Sequence, residues 1–158
     1  MTTTIYTVGY EGNSIDSFLL LLREHSVDLL VDIRELPISR KRGFAKTLLS
    51  QNLGSIGVEY VHMKSLGSPK PARHELRETR DYPKFFSAMD EHLASEKAAH
   101  DVNEVLSLAA ESRIALMCFC GDWTRCHRSR VAEAIRARGR VSFEHISPDS
   151  LSQKTKAA

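Results

Sequence analysis

The sequence predicts a single α/β domain, a three-layer sandwich whose mainly parallel sheet of about five strands carries helices on both faces. Two observations lead there. Short β-branched or apolar runs alternate with helix-period segments along the whole chain, and the helices between them are long enough to return each strand parallel to the last. A length of 158 residues leaves little room for a second core.

Thr3 to Val8 reads as a strand halted by Gly9 and Gly12. Ser14 then caps a helix whose Ile15, Phe18, Leu19 and Leu22 recur at i, i+3, i+4 and i+7. Asp28 to Ile33 is the second strand, and Pro37 and Gly43 keep residues 34–44 irregular. Leu48, Leu49, Leu53 and Ile56 mark a second helix, and Val58 to Met63 a third strand. Residues 64–80 hold two prolines, one glycine and seven charges and are expected to be a long loop. Phe86, Met89 and Leu93 sketch one further helix, and Val102, Val105 and Leu106 another. Ile114 to Phe119 is a strongly apolar strand; a helix from near Thr124 to Arg138 follows, with Gly139 expected in the left-handed closing position. Val141 to Ile146 completes the sheet, so the domain spans 1–147 and the tail 148–158 is expected to fray.

Composition narrows the function classes. Hydrophobic residues are 42% and charged residues 27% of the chain, which excludes general disorder and fibrous repeats. No apolar stretch approaches bilayer length, and the first residues lack the order of a secretory signal, so a cytoplasmic protein with no membrane partner is expected. Three cysteines cannot all pair within one chain, which makes them core filler, metal ligands or reactive thiols.

Net charge is only +2, yet windows 34–46, 62–80 and 121–140 together carry +11 and the remainder −9. Each basic window begins at or near the carboxyl end of a predicted strand, where open parallel sheets bind ligands. The turn Gly9-Tyr10-Glu11-Gly12-Asn13 shares that edge. The expected site is therefore a cleft for an anion such as a phosphate, a nucleotide or a nucleic-acid backbone. Arg136, Arg138 and Arg140 suit the end of their helix, whereas Arg125, Arg128 and Arg130 sit near its start and oppose the dipole unless an anion is present. Arg34 and Arg40 stand in the first basic window, after the second strand, and for Arg40, Lys41 and Arg42 a solvated face is an equal alternative.

All three cysteines fall in Cys118-Phe-Cys-Gly-Asp-Trp-Thr-Arg-Cys-His-Arg, which passes from strand through turn into a helix start. Backbone N–H groups, the helix dipole and nearby arginines favour a thiolate there, and Cys126 on the first helical turn suits it best. Cys118 is expected in the core. A nucleophilic thiol with Cys120 and Arg125 resembles rhodaneses and thiol phosphatases in general shape, without the phosphatase spacing. A metal site of Cys120, Cys126 and His127 is the alternative; its spacing matches no common zinc pattern, and Cys118 and Cys120 are expected to face opposite sides. Packing alone is as good an account of these residues as either. Asp32 in an apolar strand needs a partner such as Arg34, and it is also placed as a general base. Tyr10 offers a hydroxyl, His62 and His74 are expected on the same rim, and Trp123 either stacks a base or covers the core.

Taken together, Thr7-Val-Gly-Tyr-Glu-Gly, Leu30-Val-Asp-Ile-Arg-Glu-Leu-Pro, Gly57-Val-Glu-Tyr-Val-His with Leu66-Gly, and Cys118 with Cys126-His-Arg resemble the domain of unknown function 488 family, from about Thr4 to His145. The resemblance implies a small bacterial or archaeal α/β domain whose shared polar residues meet at one site: Asp32, Arg34, Pro37, Cys118, Cys126, His127 and Arg128. It names no activity. Relatives commonly carry Cys-x-Glu where this chain has Cys118-Phe119-Cys120, so Cys120 occupies a glutamate position.

The functional expectation is a hydrolase or transferase acting on a phosphorylated or nucleotide-like ligand. Asp32, Cys126 and His127 are its candidate catalytic residues; Tyr10, Arg34, Arg40, Arg125 and Arg128 are its candidate binding residues. The alternative is a metal- or redox-sensing module built on Cys120, Cys126 and His127. A small anion is the expected partner and nucleic acid a second candidate.

Overall fold

The computed structural model describes residues 2–148, so the tail beyond Pro148 lies outside the described residues. Five strands, β1 (Thr3–Gly9), β2 (Leu29–Asp32), β3 (Glu59–His62), β4 (Ile114–Cys118) and β5 (Val141–Ile146), form one sheet in the order β3-β2-β4-β1-β5. Every neighbouring pair is parallel. Six α-helices are described: α1 (Ile15–Glu24), α2 (Lys46–Gly54), α3 (Lys70–Thr79), α4 (Tyr82–Leu93), α5 (Glu96–Glu111) and α6 (His127–Arg136). The single α/β domain with helices on both faces is thus as the alternation of strands and helices predicts. Among the described residues no helix is long and apolar enough to cross a membrane.

Two hydrophobic cores flank the sheet. On one face Phe18, Leu21 and Leu22 of α1 and Leu49 and Leu53 of α2 cover Val8, Leu30, Ala115 and Met117. On the other, Met89 and Leu93 of α4, Val102 and Val105 of α5, and Val131 and Ile135 of α6 cover Ile5, Val31, Ile114 and Leu116. Each fully buried aliphatic or aromatic side chain is worth about 1.5–3 kcal/mol, well above any difference in helix propensity, so packing fixes which helix face turns inward. Strand β4 is buried at all five positions because it lies between β2 and β1 with both faces covered.

Ser14 caps α1 as its sequence suggests, accepting a hydrogen bond from the Ser17 amide at 3.1 Å. Four expectations fail. The segment 64–80 is not a loop: a 3₁₀ turn at Lys64–Leu66 leads into α3, with Pro69 at the N-cap and Pro71 in the first turn, where a missing N–H costs nothing. Helix α3 buries no residue, so it shows no apolar period to read. Helix α6 starts later, at His127, after a 3₁₀ turn at Trp123–Arg125, and ends at Arg136 with Ala137 as its cap. Gly139 is not left-handed; a Cβ there would stand 2.6 Å from a terminal methyl of Leu106, which would have to shift. In α4 the inward residue is Phe85 rather than Phe86.

The topology determines where a site can form. Strands β1 and β4 are neighbours, but the chain leaving β1 returns on the β2 side and the chain leaving β4 returns on the β5 side. Each connection passes over the other strand, but α1 does so on one face of the sheet and α6 on the opposite face, so the loops leaving β1 and β4 diverge and a crevice opens at the shared carboxyl edge. Gly9, at the end of β1, makes the crevice tight: a Cβ on it would stand 1.7 Å from the Cys120 carbonyl oxygen. Gly9→Ala is therefore expected to displace the 118–121 segment and cost about 1–3 kcal/mol, as other overpacked sites do. Urea denaturation checks this; wild-type stability would contradict it.

Candidate functional site

The crevice is a cleft of about 590 Å³ at the carboxyl edge of the sheet. Its floor comes from the loop ends: Tyr10 after β1, Arg34 after β2, and Phe119, Cys120, Cys126 and His127 after β4. Helix α3 forms one wall, and Lys70, Arg73, His74 and Arg77 all line it. Those four occupy i, i+3, i+4 and i+7, a helical stripe of three cationic side chains and one imidazole. Leu36, Ile38 and Phe119 add apolar surface at the mouth, each 47% exposed or more. Among the lining residues Glu35 is the single carboxylate, and Arg73 already pairs with it at 3.0 Å.

The two buried arginines do different work from the exposed ones. Arg34 and Asp32 form an ion pair at the end of β2, with Nε to Oδ1 at 2.9 Å and Nη2 to Oδ2 at 2.7 Å. Nη1 donates to the Phe44 carbonyl at 2.8 Å and the Tyr10 hydroxyl at 3.3 Å, so Arg34 commits four of its five N–H donors. Asp32 is saturated as well: the Arg34 amide and the Tyr60 hydroxyl donate to it, the latter at 2.6 Å. Burial and that contact with Asp32 push the Tyr60 hydroxyl well above its ordinary range. Asp32 is fully buried and does not line the cleft. Its carboxylate holds Arg34, Arg34 holds Tyr10, and Tyr10 stacks on Phe44 with centroids 4.4 Å apart.

Arg128 is 1% exposed and also stays out of the cleft. It donates through Nη2 to the carbonyls of Cys120 at 3.0 Å and Gly121 at 3.3 Å, and through Nη1 to the Thr7 hydroxyl at 3.4 Å. Glu11 completes the clamp by accepting the Gly121 amide at 3.0 Å. Arg128 shapes the loop bearing the thiols. Arg130 turns outward to Asp90, and Arg40 is exposed and lines no part of the cleft. Arg125 lines the cleft and remains 71% exposed, its nearest carboxylate, Asp122, 4.0 Å away.

The three sulfurs cluster. Cys126 is the N-cap of α6 rather than a first-turn residue; its Sγ accepts from the Arg128 amide at 3.5 Å and lies 3.2 Å from the Cys118 Sγ. The expectation that Cys118 and Cys120 part to opposite sides fails: within a strand residues i and i+2 would share a face, and Cys120 lies beyond the end of β4. Both interact with Cys126. Contact with the Cys118 and Cys120 thiols, aided by the Arg128 amide and charge, holds the Cys126 thiol well below its ordinary value against the effect of burial. Burial and the neighbouring sulfurs raise Cys118. For Cys120 the Cys118 thiol acts downward, but contact with Cys126 and burial outweigh it and push the group up to about 11. Of the three thiols, Cys126 is therefore the one that ionises first.

His127 Nε2 donates to the Ile33 carbonyl at 2.9 Å, which leaves Nδ1 facing the Cys126 sulfur at 3.6 Å. Burial lowers its pKa, so the imidazole is neutral near pH 7. His145, beside the Thr7 hydroxyl, is pushed down to about 4 by burial and by Arg128 and Arg136. Trp123 stacks flat on that ring at 3.8 Å.

His74 is on the cleft, but His62 is not. It borders a larger hollow of about 990 Å³ beside the edge strand β3, with His92, His100 and Asp101. That hollow mixes Lys64 and Lys97 with Glu35, Glu96 and Asp101, and the Nε2 atoms of His62 and His92 are engaged with carbonyls at 2.7 Å. It has neither the uniform sign nor the thiols of the smaller cleft. Among the described residues no three His, Cys, Asp or Glu side chains are arranged to hold a metal ion, and that includes Cys120, Cys126 and His127.

The profile of a family described as a domain of unknown function, DUF488, matches residues 14–135. The chain belongs to the DUF488 family. In this DUF488 domain the match takes in α3, the Asp32–Arg34 pair and the three cysteines; the Gly9–Asn13 turn falls before it and His145 after it. No curated protein and no solved structure matches the chain.

Sequence reasoning missed α3. Its signal was present as charge at helical spacing, Lys70, Arg73, His74 and Arg77, rather than as an apolar stripe.

Two measurements check the electrostatics. Asp32→Ala strands the Arg34 guanidinium in a buried position and is expected to cost about 3–5 kcal/mol in urea unfolding. The double variant Asp32→Ala/Arg34→Met should lose less than the single; a greater loss would contradict the pairing. For the thiols, absorbance at 240 nm should show a thiolate forming below the ordinary thiol pKa that is missing in Cys126→Ser. The folded Cys126 pKa is depressed, so ionisation at this position stabilises the fold most above the ordinary thiol pKa. That contribution fades as pH falls through the folded value, and the 240 nm signal should fade with it.

Proposed function

We propose that the cleft binds a phosphorylated or nucleotide-like anion and that the domain is a hydrolase or transferase acting on it. The observation that carries this reading is the α3 stripe facing the carboxyl edge. Lys70, His74 and Arg77 are exposed, and neither Lys70 nor Arg77 is paired with a carboxylate in the cleft. Arg125 adds a further exposed cation from the opposite wall. A phosphate seated between them would meet charge-assisted hydrogen bonds worth about 1.5–3 kcal/mol each. Phe119, exposed and edge to face with the buried Tyr10 at 5.4 Å, offers an aromatic surface for the remainder of a nucleotide-like ligand.

In this reading Cys126 is the nucleophile and His127 the proton-handling group at Nδ1. The thiolate is held ready by the Arg128 amide and its neighbouring thiols, and the Nε2–H bond to Ile33 fixes the ring's orientation. Arg34 supplies its remaining N–H donor. Asp32 and Arg128, candidates for direct roles from the sequence, act instead as positioning residues: the first sets Arg34, the second sets the 120–121 carbonyls. Arg40 has no part.

The test is a thermal shift with inorganic phosphate and with adenosine monophosphate. Wild type should be stabilised, and Lys70→Ala/Arg77→Ala should bind at least about tenfold more weakly, since each lost charge-assisted bond is worth that much. Both residues are exposed, so the variant should fold normally. An undiminished shift in the double variant would overturn the assignment, as would no shift in wild type.

A further inference from the structure

A nucleophilic mechanism needs one thiol, and this site has three, arranged by depth. Cys120 is half-buried on the cleft wall, Cys126 lies beneath it at 1% exposure, and Cys118 is sealed at the end of β4, also at 1%. The Cys118 and Cys126 sulfurs are 3.2 Å apart, about 1.2 Å beyond the length of a disulfide bond of about 2.05 Å. We propose that Cys120, Cys126 and Cys118 form a thiol relay that accepts oxidising equivalents from a small organic disulfide in the cleft and stores them as a reversible Cys118–Cys126 disulfide.

The steps balance. Cys120 Sγ attacks one sulfur of the small disulfide RSSR, passing its proton to the Cys126 thiolate, and RS⁻ leaves; a mixed disulfide now stands on Cys120. Cys126 Sγ attacks the Cys120 sulfur, its proton leaves with the second RS⁻ as RSH, and a Cys120–Cys126 disulfide forms. Cys118 Sγ then attacks Cys126 Sγ; the Cys120 thiolate departs and recovers the Cys118 proton. In sum, two cysteines lose one proton and two electrons as one thiol plus one thiolate, and RSSR gains them as RSH and RS⁻. His127 Nδ1, 3.6 Å from Cys126, is the nearest base for the proton in transit. Attack by a thiolate on disulfide sulfur is the general route for such exchange, and access decides which thiol is struck first. Access selects Cys120, and proximity selects the final pair.

The relay is independent of the anion reading, and the probe keeps them separate. Hydroxyethyl disulfide is uncharged, so it does not draw on the cationic wall. Wild type treated with it should lose two hydrogens by intact mass, with Cys118 joined to Cys126 and Cys120 free to be alkylated. Trypsin releases Cys126 from the peptide holding Cys118 and Cys120 by cleaving after Arg125 in the reduced chain, and fragment spectra assign the linkage in the oxidised one. Cys118→Ser should stop at a Cys120–Cys126 disulfide, Cys126→Ser at an adduct on Cys120, and Cys120→Ser should oxidise more than tenfold more slowly. Dithiothreitol should reverse every product. A wild-type protein that ends as an adduct on Cys120, that leaves Cys118 alkylatable, or whose Cys120→Ser variant reacts at the wild-type rate would overturn the relay. The linkage map of wild type decides the matter even if a variant fails to fold.

Discussion

The site rests on one close approach, between the end of β1 and the segment that leaves β4. Gly9 lets the Cys120 carbonyl come in where any side chain would block it, and the Glu11 amide and carboxylate hold the same segment through Phe119 and Gly121. Arg128 then donates into the carbonyls of Cys120 and Gly121 from beneath. Backbone polar groups in a tight turn must find partners once buried, and here a guanidinium supplies them. Because the turn is held from both sides, the cysteines around it are brought together and the cleft above keeps its floor.

A similar division of labour runs through all the cations. A buried guanidinium is costly unless its N–H groups find partners: Arg34 is paired with Asp32, whereas Arg128 meets two carbonyls and the Thr7 hydroxyl through its Nη atoms and leaves its buried Nε without one. Once so engaged they organise the protein and have little left for a ligand. The cations available to one are those that solvent still reaches: Lys70, Arg77 and Arg125. Burial therefore separates positioning residues from binding residues more sharply than closeness to the cleft does.

The thiols follow from the same geometry. Three sulfurs packed together cannot all ionise, since each added charge repels the others and lacks water to dilute it. Ionisation is easiest at Cys126, where the α6 N-terminus presents the Arg128 amide and the Arg128 charge is close. Cys118 and Cys120 remain protonated around it and serve as its donors. That one position is both the ionised one and a covered one is why reaction with external molecules has to be considered thiol by thiol.

The sequence by itself determined the elements that bury something. Phe18 and Leu22 of α1, the wholly apolar β4 and the Ser14 cap were legible because periodicity and capping are local properties. It also located the basic windows, the Cys126-His127 pair and the Asp32–Arg34 partnership, since an acid in an apolar strand demands a nearby base. Tertiary structure decided the rest. Helix α3 touches no core, so no hydrophobic period announced it; only docking against α4 and the cleft gives its cationic stripe a direction. Whether Arg128 faces a ligand or a carbonyl, and whether Cys118 meets Cys126, depends on strand order and on the crossing at Gly9. Those are contacts between residues far apart in the chain, and their energies do not exist until the chain has folded.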